Sequence, residues 1–295
     1  MIHRTFQHIP GVGPWREKDL WARGVATWDD FPRPGGEVVL SVAQDDVARS
    51  RIEQAQGAME QRDLQALARL LPPREHWRLY REFADEAVFF DIETDGRERL
   101  QPTVVSLLDR DGIRVFLRDR NLEALPEALA RRRLWVTFNG SVFDVPVLAR
   151  HFPQLPVPAA HIDLRFVFRK LRLGAGLKAL EDHFRMGRPR HLRGVGGSDA
   201  VLLWRAYQET GEVEALRFLV EYNLYDAISL RTLVELGYNT WLDALNLSGE
   251  PKVAVFERGD VLYDVSKLLL DLGPTERDLR VLERIRGRDR QLLEE

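Results

Sequence analysis

The sequence predicts a mixed α/β fold: a five-stranded sheet flanked by helices and preceded by a helical N-terminal extension. Three observations carry this reading. Short apolar runs bounded by turn residues recur between residues 87 and 164, as buried strands do. Two of these runs, Thr103–Leu108 and Ile113–Leu117, are separated by Asp109-Arg110-Asp111-Gly112, whose Asp-Gly step is a hairpin signal. The later runs alternate with stretches of helical periodicity, the pattern of strands linked through helices.

The elements follow in order. Ile9-Pro10-Gly11-Val12-Gly13-Pro14 forms a turn that opens a helix from about Trp15 to Arg23. Asp45–Leu71 reads as one long helix stopped by Pro72-Pro73, and Arg74–Phe83 as a second. Strands are expected at Ala87–Ile92, Thr103–Leu108, Ile113–Leu117, Leu134–Phe138 and Ala159–Leu164. Helices are expected at Leu122–Arg132, Val145–His151 and Val213–Leu236, with helices and an Arg/Gly/Pro-rich loop across 165–210. Beyond residue 240, Val253–Phe256 and Val261–Tyr263 read as a hairpin around Arg258-Gly259-Asp260, and Thr275–Glu295 as a charged amphipathic helix. The chain therefore divides into an N-terminal element (1–35), a helical connector (36–85), the α/β body (86–240) and a C-terminal extension (241–295).

Composition narrows the class. The chain has 295 residues, 44% of them hydrophobic, enough for a well-formed core. With no cysteine, disulfides and thiolate zinc sites are excluded. No run approaches the roughly eighteen apolar residues of a membrane span, and the first residues lack a signal-peptide core. A cytoplasmic protein without a membrane partner is expected. The net charge of −3 is not that of a uniformly basic nucleic-acid binder. Charge is unevenly placed, however: nine Lys/Arg lie between Arg165 and Arg193, opposed only by Glu181 and Asp182. Such a cluster either neutralises phosphates or forms a solvated face.

Three segments carry chemistry. In Asp91-Ile92-Glu93-Thr94 the two acids are two apart, so a strand turns both to one face. Adjacent anions repel unless a cation lies between them, and hard oxygen donors suit Mg²⁺ or Mn²⁺. A strand end running into an acidic turn gives the same letters. In Trp135–Asp144 a strand meets an Asn139-Gly140 turn and Asp144 stands at a helix mouth, as a ligand or as a cap. Tyr222 and Asp226 are four apart, on one helical face.

In this order the three segments resemble the DEDD (DnaQ-like) superfamily of 3′–5′ exonucleases on a ribonuclease-H-like fold. Asp91 and Glu93 match its first motif, Asp144 its second, and Tyr222-x3-Asp226 the third motif of the tyrosine branch. The segments TFQHIPGVG, DIET, HIDLRFVFRKLRL, LKALE and YNLYDAISL further resemble the YprB-like group, with Asp95 as a departure where a second threonine is usual. The resemblance implies two Mg²⁺ or Mn²⁺ ions held by Asp91, Glu93, Asp144 and Asp226, and Tyr222 orienting the attacking water. It implies a single-stranded DNA or RNA substrate with a free 3′ end. The same fold could instead serve an exoribonuclease or an inactive nucleic-acid-binding scaffold. The Gly11-Val12-Gly13 turn is similar to the second half of a helix-hairpin-helix element, whose backbone N–H groups hold a DNA phosphate, although Trp15, Arg16 and Glu17 depart from it. Nucleic-acid contact is accordingly expected at Gly11, Gly13, Asn139, Lys170, Arg172 and Lys178. Asn139 and Asp163 are placed at the cleft or in their own turns.

Overall fold

The computed structural model describes residues 1–174, 176–247, 249–258 and 263–271. The helices are α1 (Pro14–Ala22), α2 (Val42–Glu60), α3 (Leu64–Leu70), α4 (Tyr80–Phe83), α5 (Leu125–Ala130), α6 (Asp144–His151), α7 (Leu164–Lys170), α8 (Leu177–His183), α9 (Gly197–Thr210), α10 (Val213–Ala244) and α11 (Val265–Asp271). The strands are β1 (Ala87–Thr94), β2 (Pro102–Asp109), β3 (Gly112–Leu117), β4 (Leu134–Thr137) and β5 (Ala160–Asp163). The sheet order is β3-β2-β1-β4-β5. β1, β2 and β3 form an antiparallel meander, whereas β4 runs parallel to β1 and β5 parallel to β4.

The strand period of two sorts side chains cleanly between the two faces. Val88, Phe90 and Ile92 pack with Trp135, Leu125, Val147 and Leu148 on the face covered by α5 and α6. Ala87, Phe89, Val104, Leu134 and Val136 point the other way, into a core shared with α10 and with N-terminal residues such as Phe6, Leu20 and Trp77. Asp91 and Glu93 belong to the odd set, so they continue the α10 face beyond Phe89. Helix α10 packs across both β1 and β2.

Several expectations are corrected. The long N-terminal helix is two, because Arg62 takes a left-handed φ of 50° and the Asp63 side chain caps a fresh start at the Ala66 N–H. Residues Pro73–Leu79 form a 3-10 helix before the short α4. Leu122–Ala124 likewise is 3-10 and precedes α5. Helix α10 continues eight residues past Leu236, to Ala244, through buried Gly237, Tyr238 and Leu242. Val253–Phe256 is no strand: its backbone bonds go to α10 side chains rather than to a partner strand. The second arm of that hairpin falls largely outside the described residues, and Thr275–Glu295 falls there wholly. Among the described residues no helix is long and apolar enough to cross a membrane.

A buried ionic chain ties the N-terminal segment to the body. Glu17, 1% exposed, accepts from Thr5 Oγ1 at 2.7 Å, the Phe6 N–H at 2.9 Å, Gln7 Nε2 at 2.8 Å and Arg78 Nη2 at 2.8 Å. Arg78 also reaches Glu75 at 2.9 Å, and Glu75 takes Lys170 Nζ at 2.5 Å. The charges alternate, and each acid has several donors, the condition under which buried ions are tolerated.

Candidate active site

β1 and β4 are parallel, so their carboxyl ends lie at one edge of the sheet, where the chain leaves them toward opposite sides. Such crevices are where open α/β sheets hold ligands. Here a cleft of about 540 Å³ is lined by Asp91, Glu93, Asn139, Phe143, Asp144, Arg165, Lys178, Tyr222 and Asp226, among others. One oxygen each from Asp91, Glu93 and Asp226 lie within 4.8 Å of one another. Asp144 faces them from the first turn of α6.

The second-motif turn depends on its sequence. Asn139 adopts a left-handed φ of 64°, a conformation that asparagine tolerates better than most residues. A Cβ on Gly140 would stand 2.2 Å from Thr137 Oγ1, so only glycine fits. Asp163, at the end of β5, then clamps the turn. Its carboxylate accepts the Asn139 N–H at 2.8 Å, the Ser141 N–H at 3.0 Å, the Ser141 hydroxyl and the Arg165 N–H at 3.1 Å. Asp163 therefore braces the turn that presents Asp144 and does not line the cleft.

Burial raises the pKa of every acid in the cluster, and mutual repulsion adds to it at Asp91 and Glu93. Burial, and then the charges of Asp144, Asp226 and Glu93, push the Asp91 carboxyl well above its usual range. Glu93 is raised by burial and by Asp226 and Asp144, with Lys178 opposing. Burial pushes Asp144 up to about 7 despite N–H groups from its own backbone and Ile92. Asp226 is raised by burial, tempered by Arg188 and Lys178. Burial and the three nearest acids raise the Tyr222 hydroxyl, which stays neutral. Hard carboxylate oxygens at this spacing, with no sulfur and no histidine among them, fit Mg²⁺ or Mn²⁺. A cation there would relieve the repulsion that keeps protons on the cluster.

The structure places the sequence-derived residues unevenly. Lys178 Nζ donates to the Tyr222 hydroxyl at 3.0 Å and stands inside the cleft. Asn139 lines the cleft and takes Arg165 Nη1 on its side-chain oxygen at 2.5 Å. Lys170 and Arg172 instead line a separate cleft with Glu17 and Arg78. Gly11 and Gly13 border a third, of about 590 Å³, together with Arg51, Arg69 and Arg74. Asp95 adds no free anion. Burial disfavours its charge, but the Gln101 and Arg97 N–H groups and Arg118 outweigh that and hold its pKa low.

Asn223 escaped sequence reading, and Arg165 and Arg188 entered it only as members of the basic run. Asn223, fully buried, gives its Nδ2 to Asp91 at 2.8 Å. Arg188 contacts Asp226, and Arg165 flanks Asn139. Asn223 stands among Glu221, Tyr222, Tyr225 and Asp226, so nothing in the sequence sets its amide apart. Arg188 carried no signal either, being one arginine in a basic run.

Comparison with known proteins adds the following. The family model described as the RNase H superfamily matches residues 88–238, just over half of the chain. Among solved structures, the chain is similar to the family B DNA polymerase from the hyperthermophilic archaeon Pyrobaculum calidifontis. That likeness has a TM-score of 0.40 and 18% identity, covering 59% of this chain and 26% of the polymerase. The chain thus spans about a quarter of that protein's length. No curated protein matches.

Proposed function

This chain belongs to the RNase H superfamily, and from that premise we propose a metal-dependent 3′–5′ exonuclease of the DEDD tyrosine branch, acting on single-stranded nucleic acid with DNA favoured. The observation that carries the proposal is the convergence of Asp91, Glu93 and Asp226 within 4.8 Å, beside Asp144, Tyr222 and Lys178 in one cleft.

Asp91, Glu93, Asp144 and Asp226 would hold two divalent cations. Bound there, such cations supply Lewis acidity, acidifying water and offsetting charge on phosphate oxygens. The chain's own groups do the rest. Asn223 fixes one oxygen of Asp91, and its amide keeps the carboxylate aimed into the cleft. Tyr222, neutral, is suited to orienting the attacking water through its hydroxyl and not to removing the proton. Lys178 steadies that hydroxyl and adds positive charge facing Glu93 and Asp226. Arg165 at the mouth offers a fork for the substrate phosphate. The Gly11–Gly13 turn at the start of α1, with Arg51, Arg69 and Arg74 beside it, supports a second phosphate contact and the preference for DNA.

The test is digestion of 3′- and 5′-labelled single strands, DNA and RNA, with Mg²⁺ or Mn²⁺. The expected outcome is early release of the 3′ label, while the 5′ label passes through progressively shorter products. Asp91→Ala and Asp226→Ala should each lose ~10²-fold or more in rate, the scale for removing a positioned electrostatic group. Variants as active as the parent, or shortening from the 5′ end, would overturn the proposal.

A further inference from the structure

Residues 253–258 form a strap along one slanting row of α10. The Val253 N–H donates to Asn239 Oδ1, and Asn239 Nδ2 donates back to the Val253 carbonyl, both at 2.9 Å. The Phe256 N–H donates to Glu235 at 2.5 Å, and Thr232 Oγ1 donates to the Phe256 carbonyl at 2.8 Å. Arg258 Nη1 donates to Ser229 Oγ at 2.8 Å. Positions 239, 235, 232 and 229 succeed one another at spacings of three and four, one side of a helix. The next step along the row is Asp226.

The strap delivers a charge to that step. Arg258 reaches Glu181 on α8 at 3.2 Å, donates to the Met186 and Gly187 carbonyls, and lies 4.5 Å over the Tyr225 ring. Glu181 accepts Arg188 Nε at 2.9 Å, and Arg188 Nη2 contacts Asp226 Oδ1. All four side chains are at least nine-tenths buried, at 9%, 3%, 7% and 7% exposure from Arg258 to Asp226. The signs alternate without a break. Arg188 does not line the cleft. It approaches Asp226 from behind, 5.8 Å over the Tyr222 ring and 5.1 Å over Tyr225. A guanidinium clamped in this way is built to remain beside a ligand carboxylate and to fix its rotamer; a cation entering from the cleft meets the carboxylate and not the arginine.

We propose that Arg188 is the positioning residue for Asp226, and that the 253–258 strap, acting through Arg258 and Glu181, holds Arg188 in place, so that metal-ligand geometry in the cleft depends on a segment beyond the superfamily-matched region. This inference rests on the metal-site reading above. Partners one step behind a metal ligand characteristically set its affinity.

The experiment titrates Mn²⁺ calorimetrically into the full chain and its Arg188→Gln, Arg258→Gln and Arg258→Lys variants. Arg132→Gln, whose partners Asp109 and Asp111 lie at the far end of β2, serves as the control for a lost ion pair. Arg188→Gln and Arg258→Gln should each bind about tenfold more weakly. Arg258→Lys, keeping the charge facing Glu181, should recover part of that loss, and Arg132→Gln should bind as the parent does. Should Arg188→Gln fail to fold, Arg258→Gln, two residues further from the ligand along the ionic chain, carries the test. Parental or tighter affinity in a folded Arg188→Gln or Arg258→Gln chain overturns the relay while leaving the metal site standing. A parent chain that binds no Mn²⁺ sensitive to Asp91→Ala removes the metal site and the relay together.

Discussion

At the scale of single residues, charge and burial decide what each group can do. Tyr222 is hemmed in by Asp226, Glu93 and Asp91, so its hydroxyl keeps its proton. Tyr222→Phe should therefore slow turnover by less than the ~10²-fold expected for a lost carboxylate; an equal or larger loss in single-turnover rates would assign the phenol more than orientation. Asp144, pushed up to about 7 by burial, binds its proton more tightly folded than unfolded. That adds stability in acid, and the contribution is lost as pH rises from about 4 through 7. In chelator, Asp144→Asn should accordingly be more stable than the parent at pH 8, on the order of 4 kcal/mol, with the gap closing by pH 3. Urea unfolding at the two pH values reads it, and a pH-independent gap contradicts it. The acids themselves were legible because a strand's period of two and a helix's turn are written in spacing. Asn223 and Arg188 were not, since the contacts that give them meaning bridge 132 and 38 residues.

At the scale of elements, the sheet was readable and the breaks between helices were not. All five strands lie where apolar runs end at turn residues, and the Asp-Gly hairpin joins β2 to β3. The division of α2 from α3 rests on one left-handed residue, Arg62, which no periodicity reveals. The 253–256 segment, Val-Ala-Val-Phe, is an apolar run of the kind strands are made of, but its backbone is satisfied by Asn239, Glu235 and Thr232, so side chains of α10 replace a partner strand. The turn between β4 and α6 yields a prediction. Asp163 accepts from two backbone N–H groups and a hydroxyl there. Asp163→Ala leaves those donors without their acceptor, at a cost of about 2–4 kcal/mol in unfolding free energy, and loosens the support of Asp144. Asp163→Asn should cost less, because its carbonyl oxygen still accepts. An alanine variant as stable as the parent in urea would show that the turn holds itself.

At the scale of the whole molecule, one core joins the N-terminal helices to the α10 face of the sheet, and two buried ionic chains run through it. The first, Glu17–Arg78–Glu75–Lys170, fastens the N-terminal turn. The second, Arg258–Glu181–Arg188–Asp226, reaches the cleft from the C-terminal side. Within the basic run between residues 165 and 193, Lys170, Lys178 and Arg188 have protein partners, whereas Arg169, Arg172, Arg185 and Arg190 are exposed. The carboxylates gathered on β1, at the start of α6 and on α10 are proposed to form a cation site. Anomalous diffraction from crystals grown with Mn²⁺ tests it most directly. The expected result is a peak in contact with Asp91, Glu93 and Asp226, and a second beside Asp91 and Asp144. A cleft without anomalous density at saturating Mn²⁺, with protons or Lys178 and Arg188 alone balancing the acids, would contradict it.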